Sequence, residues 1–252
     1  MADPGRPLLV ISALDTERFG VRVAKSEPAA AEVEEAVRLA RAEGVDVVFF
    51  RTPTEDIVAA HAVETRGGRL MDTLVAYERA LSLLPDEAAA ADVEIAEAGP
   101  VDGSVVADLA REAFRGYVGH YHADPRLDEA ACDEVYASWA ERSCAEPGVA
   151  DAVLVARRGA DLLGFTALKL DGEQAVGTLD GVAPAARGRG VYTALGVARM
   201  RKAADLGATR MLVTTHLANA GAQRGLQRLG FVATWSQHTF HLWLDEAGRM
   251  AP

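Results

Sequence analysis

The chain has 252 residues, of which 50% are hydrophobic and 25% are charged, and its formal net charge is -11. At about 100–200 residues per domain, this length predicts one large domain or two small ones, and the apolar fraction is typical of a packed globular protein. This acidic balance argues against a nucleic-acid-binding surface, which requires a clustered excess of Lys and Arg. Its apolar runs fall short of the ~18 residues that span a bilayer, and its start lacks the form of a secretory signal. We therefore expect a soluble, cytoplasmic protein with no nucleic-acid or membrane partner.

The two cysteines, Cys132 and Cys144, are too few for a disulfide framework and do not form a C-x-x-C pair. We expect both to be buried free thiols. The pair His120-x-His122 has no evident third ligand, so no metal site is predicted.

Residues 1–92 alternate between strand-like and helix-like patterns, which predicts a small α/β domain. Apolar residues at i, i+3, i+4 and i+7 predict a helix over 33–40 that begins after Pro28. The acidic, alanine-rich stretch 86–99 could be a linker or the first strand of the next domain, and we place a boundary near residue 92. The other predicted elements of this part are strands at 8–12, 45–50 and 70–77 and a helix at 56–65.

Residues 93–252 predict a second domain. A loop rich in glycine and aromatic residues at 116–125 is expected between its first two helices. Helices are predicted at 104–114, 127–141, 191–206 and 219–229, with strands at 152–156, 162–170, 175–182 and 211–215, and one long strand or a bent pair at 231–244.

The stretch 175–192 carries the clearest functional pattern, because a strand runs through the letters VAPAARGRG (182–190) directly into a helix. Glycines between a strand and a helix N-terminus let backbone N–H groups point at an anion, and the helix dipole assists. Residues 181–204 contain five basic residues and no acidic one. This local excess predicts a focused positive patch that suits phosphate groups.

Three kinds of anion-binding loop compete for this pattern. A P-loop requires GxxxxGK[ST], which is absent, and a dinucleotide-binding loop requires GxGxxG, whose third glycine is replaced here by Thr193. The third is a pyrophosphate loop for coenzyme A, and an ordinary glycine-rich turn is the alternative without a function.

The letters V-x-P-x-x-R-G-R-G resemble the acyl-CoA loop of the GCN5-related N-acetyltransferases, usually written R/Q-x-x-G-x-G/A. Arg187, Gly190 and Tyr192 occupy its three defining positions, with Tyr192 in place of Gly or Ala. Downstream, LVTTHLANAGAQRGLQRLGF at 212–231 resembles the next block of that family, a strand followed by N-x-x-A and a helix that ends in Gly-Phe. The resemblance covers roughly 97–244. It implies an α/β (α+β) fold with a mixed, mostly antiparallel central sheet that is split at the acyl-CoA site, preceded here by the small N-terminal domain.

The resemblance also implies acetyl-CoA as the acyl donor and a set of residues that hold it. A backbone N–H near Val182 is expected to stabilise the oxyanion that develops during transfer. In the family, the residue matching Asn219 faces the pantetheine arm. The expected acetyl-CoA-binding residues are Val182, Arg187, Gly188, Arg189, Gly190, Val191, Tyr192 and Asn219.

A narrower resemblance concerns the acceptor. The segments 120–127, 135–143 and 236–244 look like those of the dTDP-fucosamine-type amino-sugar N-acetyltransferases, which also have an N-terminal extension with an LDTERFG-like segment, as at 14–20. This implies a nucleotide-linked amino sugar as the acceptor, whereas the alternative is that the aromatic residues are simply core. The substrate-binding residues so implied are His122, Asp124, Tyr136 and Trp139.

An attacking amine must be neutral, so a base has to remove its proton. Asp180 shares a strand face with Val182 and is the candidate base, with an inert surface carboxylate as the alternative. The family often has a Tyr that protonates the departing thiolate at the position of Leu226. Leu cannot donate a proton, so either the thiolate leaves unprotonated or another group, with Tyr192 as the candidate, replaces the usual acid.

Histidines offer a second source of the base. His120 and His122 lie in the loop that is expected to close over the acceptor, where a histidine can bind a sugar or act as a base. His238 and His241 lie three residues apart on the last predicted strand, so their side chains face opposite sides and at most one reaches the site.

The leading hypothesis is an N-acyltransferase that moves an acetyl or other short acyl group from coenzyme A to a primary amine of a small molecule, with a homodimer as a possible assembly. Because Leu226 cannot donate a proton, a non-catalytic acyl-CoA-binding or sensor module is the second hypothesis. A protein or peptide N-acetyltransferase is the third hypothesis, because the sequence does not show whether the acceptor side is an open groove or a closed pocket.

Overall fold

The computed structural model of the protein describes residues 7–85 and 93–244, which divide into two compact units. The first unit comprises Met1–Val75, Val118–Cys132 and Trp235–Pro252, and the second comprises Ala76–Tyr117 and Asp133–Thr234. Each unit is therefore assembled from separate pieces of the chain. The domain boundary predicted near residue 92 lies outside the described residues and stays a prediction.

The helices and strands are named here in chain order. The helices are α1 (Ala13–Phe19), α2 (Val33–Ala42), α3 (Ile57–Thr65), α4 (Gly103–Ala113), α5 (Glu129–Ala145), α6 (Val191–Asp205) and α7 (Ala220–Arg228). The strands are β1 (Val10–Ile11), β2 (Val23–Ser26), β3 (Val47–Pro53), β4 (Arg69–Ala80), β5 (Glu94–Glu97), β6 (Ala152–Arg158), β7 (Asp161–Asp171), β8 (Gln174–Val182), β9 (Arg210–His216) and β10 (Val232–Trp243). Short 3₁₀ helices lie at Ala30–Glu32, Pro100–Asp102 and Pro184–Ala186.

Most predicted elements are confirmed with their ends shifted by a few residues, but α1 and β2 were not predicted. Helix α1 has only 7 residues, too few for a helical period to be visible in the sequence. Its ends do carry ordinary signals. Ser12 caps the N-terminus by accepting from the Asp15 N–H at 3.4 Å, and Gly20 ends the helix with a φ of 66°.

The first unit is built on strands β1, β2, β3 and the C-terminal part of β10. Strand β2 pairs with β1 antiparallel and with β3 parallel, and β10 pairs with β3 antiparallel. Because side chains alternate along a strand, β3 has two different faces. Val48 and Phe50 pack with α2 and α3 on one face, whereas Val47 and Phe49 pack with Leu127 on the other.

The second unit contains the strand order β5-β6-β7-β8-β9, in which the first three pairings are antiparallel and β8–β9 is parallel. Its core joins Val106 of α4 and Leu195 of α6 to Val155 of β6 and to the fully buried Phe165 of β7. The predicted mixed, mostly antiparallel sheet is thus confirmed.

Two expectations drawn from composition can be compared with the structure. Over 7–85 and 93–244, no helix is both long enough and apolar enough to cross a membrane. Cys132 is a buried free thiol as predicted, whereas Cys144 is partly exposed.

Candidate active site

The second unit contains a split between two neighbouring parallel strands. The pairing of β8 with β9 runs from Gln174 and Arg210 to Gly177 and Val213 and ends there. Beyond that point β8 continues to Val182 and β9 continues to His216. Both strands therefore present backbone groups that their mutual ladder no longer uses, which is the predicted splitting of the sheet.

A bulge in β8 lies at the start of this split. Leu179 pairs with Ala167 and Gly177 pairs with Leu168, so Thr178 is an extra residue that opposes no partner on β7. The Thr178 hydroxyl is buried and has no hydrogen-bond partner within the described residues. A bulge bends its strand, and this one coincides with the end of the β8–β9 pairing.

The backbone of Val182 faces the open side of β8. The Ala183 N–H donates to the Leu163 carbonyl at 2.9 Å, which makes these two residues a hydrogen-bonded pair with β7. Pairs alternate along an antiparallel ladder, so the next pair, Gly164 and Val182, is not hydrogen-bonded. The Val182 N–H consequently points away from β7, toward the side on which β9 has separated. A donor in this position has the orientation that an oxyanion site requires.

The glycine-rich loop opens helix α6 as the sequence predicts. Gly188 and Gly190 have φ values of 74° and 82°, in the left-handed region that favours glycine. A Cβ placed on Gly188 would meet nothing within 4 Å, so this part of the loop borders open space. In the described structure no side chain caps α6, and its first turn contains no acidic residue. Its first backbone N–H groups are therefore available to an anion, and these features fit the diphosphate of coenzyme A.

The two arginines of the loop have different surroundings. The Arg187 guanidinium donates to the Ala113 carbonyl at the end of α4 at 2.7 Å and to the Val182 carbonyl at 3.4 Å. These two hydrogen bonds hold the loop against α4 and β8. Arg189 is exposed and bonds to no side chain in the part of the chain that the structure describes. Of the two, Arg189 is the cation whose charge is available to a phosphate.

The predicted patch of five cations is wrong in its extent. Arg199 is 1% exposed and pairs with Asp180, and Lys202 pairs with Glu97 at 2.6 Å. Arg201 is directed to the Pro85 carbonyl at 3.5 Å. At about 1.5 Å of rise per residue, these positions lie more than ~10 Å along α6 from its first turn. The net charge of a sequence segment cannot show these differences, because it does not record how deeply a side chain is buried or where it lies along the helix.

The buried Arg199 is the centre of a polar cluster that includes Asp180. Its Nη1 donates to Asp180 Oδ1 at 2.5 Å and to Thr166 Oγ1 at 3.0 Å, and Thr166 Oγ1 donates to Asp180 Oδ1 at 2.5 Å. Burial alone would lower the pKa of Arg199, but the Asp180 charge, the interaction with Tyr192 and the hydrogen bond to Asp180 together raise it. Asp180 thus has a structural role, because it is the counter-ion of a buried guanidinium.

Tyr192 lies in the same cluster, with its ring against helix α7. A Cβ placed on Gly225 would be 2.5 Å from the Tyr192 Cε1, so only glycine fits beneath the ring. Burial and then the Asp180 charge raise the pKa of the Tyr192 phenol, which therefore keeps its proton at neutral pH. The structure brings the two predicted catalytic residues, Asp180 and Tyr192, to one place.

Two residues at α7 explain the downstream motif. Asn219 caps this helix, with its side chain accepting from the Ala222 N–H at 3.1 Å. Leu226, which stands where the related family often has a Tyr, is fully buried. Leu226 therefore belongs to the core of this unit.

The four predicted substrate-binding residues are divided between the two units, and Tyr136 and Trp139 belong to the second. Tyr136 stacks on Phe114 with ring centroids 4.3 Å apart, and Tyr117 meets both Tyr136 and His216 edge-on or tilted. Trp139 is partly buried and packs against the core of the second unit.

His122 and Asp124 belong to the first unit. His122 Nδ1 accepts weakly from the Gly119 N–H at 3.4 Å. Asp124 is 3% exposed, and its two oxygens accept from His241, Trp243 and the Arg126 N–H, which makes it a buried anchor.

Sequence reasoning missed several residues of these clusters. Tyr117 and His216 were not singled out, although His216 ends β9 at the split and packs on Tyr117. Arg199 was counted as a surface cation. Only its i+8 spacing from Val191, which is also buried, could have indicated that it faces the interior.

Comparisons with known proteins show the family to which the chain belongs. Residues 106–231, half of the chain, match the model of the acetyltransferase (GNAT) family. The chain is similar to the spore coat polysaccharide biosynthesis protein SpsD of Bacillus subtilis (strain 168), with 25% identity over 201 residues that cover 79% of this chain and 67% of SpsD.

Solved structures share the fold at lower identity. A GCN5-related N-acetyltransferase from Kribbella flavida has a TM-score of 0.66 and 18% identity, covering 93% of this chain and 86% of its own. One from Sphaerobacter thermophilus has a TM-score of 0.63 and 14% identity, covering 95% and 78%. Together with the matched family model, the split sheet and the glycine loop identify the chain as a member of the GNAT acetyltransferase family, an N-acetyltransferase that uses acetyl-CoA.

Proposed function

We propose that this acetyltransferase acylates a primary amine on a small molecule, and specifically on a nucleotide-linked amino sugar. The likeness to SpsD supports this, because that protein bears the name of a polysaccharide biosynthesis protein. The 201 matched residues exceed the span of 106–231, so the likeness to SpsD extends outside the acetyltransferase region. Residues outside that region are where a subgroup would differ in its acceptor.

The observation that carries the transfer chemistry is the split between β8 and β9 beside an uncapped helix N-terminus. In the proposal, the N–H groups of Gly188 to Tyr192 and the charge of Arg189 hold the diphosphate of acetyl-CoA, while Arg187 fixes the loop. Asn219 fixes the start of α7 beside the pantetheine arm. Acetyl-CoA supplies an acetyl thioester, and the Val182 N–H would stabilise the negative charge that develops on its carbonyl oxygen.

We propose that Tyr192 gives a proton to the departing thiolate. The related family often uses a Tyr at the position of Leu226 for this step. The phenol of Tyr192 carries a proton at neutral pH, and its ring lies against α7 at Gly225, next to Leu226. Asp180 then acts through Tyr192 and Arg199, whose side chains it orients. Tyr136 and Trp139 remain the candidates for contacts with the sugar, since sugar rings pack well on aromatic faces.

The test is an acceptor panel with acetyl-CoA, in which release of free thiol is followed over time. The panel pairs nucleotide-linked amino sugars with the corresponding free amino sugars and with short peptides. We expect the highest kcat/KM for a nucleotide-linked amino sugar. A peptide as the best acceptor would favour the protein N-acetyltransferase hypothesis instead, and no thiol release with any amine would contradict the proposed acceptor class.

A further inference from the structure

His216 is the last residue of strand β9 and lies beside the split in the second unit. The pairing of β8 with β9 ends at Gly177 and Val213. Val182 lies five residues beyond Gly177, and one of those five is the bulged Thr178, which adds no length to the ladder. His216 lies three residues beyond Val213. His216 and Val182 are therefore level to within about one residue, or ~3.3 Å of rise, on opposite sides of the split.

The side chain of His216 lies on the face of the sheet that is turned away from helix α6. A Cβ placed on Gly177 would be 2.7 Å from Arg199 Nη1 and 3.0 Å from Val213 Cγ2, so Val213 shares a face with the α6 residue Arg199. Side chains alternate along a strand, so His216, three residues after Val213, is on the other face. In the proposed function, the start of α6 holds the diphosphate of acetyl-CoA. An acceptor that approaches from the His216 side therefore does not compete with the donor for α6.

Three aromatic rings form a series of contacts with His216. The Tyr117 ring lies 5.6 Å from the His216 ring and 5.3 Å from the Tyr136 ring, and Tyr136 stacks on Phe114 at 4.3 Å. Tyr136 is one of the residues proposed above to contact the sugar. His216 thus lies between a proposed sugar contact and the split, across which the Val182 N–H would stabilise the oxyanion. The amine of a sugar that packs on these rings meets the thioester next to His216.

The strand end that carries His216 is held in place by hydrogen bonds within the second unit. The His216 carbonyl accepts from the Asn219 N–H at 2.9 Å and from Gln223 Nε2 at 3.4 Å, and Gln223 Nε2 also donates to the Leu217 carbonyl at 2.6 Å. The Gln223 side chain in turn accepts from the hydroxyl of Tyr77, a β4 residue that is 2% exposed. The backbone that carries the imidazole is therefore fixed by α7 and β4, as a preorganised site requires.

The His216 side of the split needs a proton acceptor that Asp180 does not supply. Asp180 is the counter-ion of Arg199 and accepts from Thr166, so its carboxylate is directed toward α6. Phenols such as those of Tyr117 and Tyr136 are not bases near neutral pH, whereas imidazole accepts and releases a proton there. The alternative is that His216 only packs against Tyr117. Packing needs a flat ring but no ring nitrogen, so the two roles can be separated by substitution.

We propose that His216 is the general base of the acyl transfer and takes a proton from the acceptor ammonium. This inference rests on the proposed function, because it requires an amine acceptor. The ammonium loses one proton to His216, and the neutral nitrogen attacks the thioester carbonyl. The C–N bond forms and the C–S bond breaks. Tyr192 gives its proton to the thiolate, the second proton of the nitrogen replaces it, and His216 releases its own proton to water.

The test compares two acceptors whose reacting nitrogens differ in charge at pH 7. One is the best amine of the acceptor panel, and the other is the same molecule with an aminooxy group in place of the amino group. The amine is an ammonium at this pH and must lose a proton before it attacks. The aminooxy nitrogen is already neutral and needs no base for this step. Loss of the base should therefore slow transfer to the amine far more than transfer to its aminooxy counterpart.

Two substitutions remove the imidazole, and one of them keeps the packing. His216→Phe retains a flat ring against Tyr117, and His216→Gln does not. With the amine, both variants should lose about 10²-fold in kcat, and with the aminooxy acceptor less than about tenfold. His61→Gln removes an exposed imidazole from α3 and is the matched control, which should keep the unmodified rate with both acceptors. The affinity for acetyl-CoA, measured by calorimetric titration, should be unchanged in all three variants.

Three results would overturn the assignment of His216. If His216→Phe keeps the rate with the amine, His216 is only a packing residue. If the variants lose equally with both acceptors, His216 does not act on the proton of the ammonium. If both His216 variants lose affinity for acetyl-CoA, His216 belongs to the donor site.

The two proposals fail in distinguishable ways. If the unmodified protein acylates an amine and one of these three results is found, the general-base proposal is wrong and the proposed function stands. If the unmodified protein releases no thiol with any amine, the proposed function fails and the general base fails with it.

Discussion

Asp180→Leu is expected to destabilise the protein by about 3 kcal/mol, because it leaves the buried charge of Arg199 without its counter-ion. The Arg199 side chain is 1% exposed and that of Asp180 is 19% exposed, so water can compensate only from the Asp180 side. This partial exposure sets the expectation at the low end of the range for broken buried pairs. The loss would be measured as the free energy of unfolding in urea.

Two further variants make the interpretation of Asp180→Leu specific. The double variant Asp180→Leu/Arg199→Met removes both charges and should recover most of the loss, since an apolar pair of similar volume often replaces a buried ion pair at little cost. Lys202→Ala breaks the exposed pair with Glu97 on the same helix and should cost less than about 1 kcal/mol. A loss below about 1 kcal/mol for Asp180→Leu would mean that Arg199 does not depend on this carboxylate.

Gly190→Val is expected to weaken acetyl-CoA binding by about tenfold or more, as measured by calorimetric titration. Gly190 has a φ of 82° at the start of α6, where a β-branched residue is strained by roughly 1–2 kcal/mol. To relieve the strain, the loop must move, and the N–H groups of the first turn move with it. A displaced helix N-terminus loses its favourable interaction with the diphosphate.

Gly172→Val is the matched control for this prediction. Gly172 has a φ of 58° in the turn between β7 and β8, and a Cβ there would meet nothing within 4 Å. It therefore carries a similar backbone strain at the other end of β8. We expect a similar loss of stability and unchanged acetyl-CoA affinity. If both variants lose affinity equally, the effect is global and the loop assignment is not supported.

Short-range features of this protein were predictable from the sequence, because the signals lie within a few residues. The loop at 187–192 has its glycines, its helix start and its preceding strand in one continuous segment. The order of strands and helices from 93 onward followed in the same way. Helix α1 was not predicted, because its 7 residues are too few to show a helical period of apolar residues.

Features that depend on depth or on distant contacts were not predictable. Arg199 looks like any other basic residue of its helix until the packing of α6 directs it into the core. The hydrogen bond between Asp124 and His241 joins residues that are 117 apart in sequence. A strand pattern showed that His238 and His241 face opposite sides, but not which of them meets a carboxylate.

The central claim is that acetyl-CoA lies in the split between β8 and β9 with its diphosphate at the start of α6. Amide hydrogen exchange with and without saturating coenzyme A tests this directly. We predict slower exchange at the amides of 178–182 and 190–193 when coenzyme A is present. Protection confined to other segments, or no protection at these amides despite measured binding, would contradict the assignment of the site.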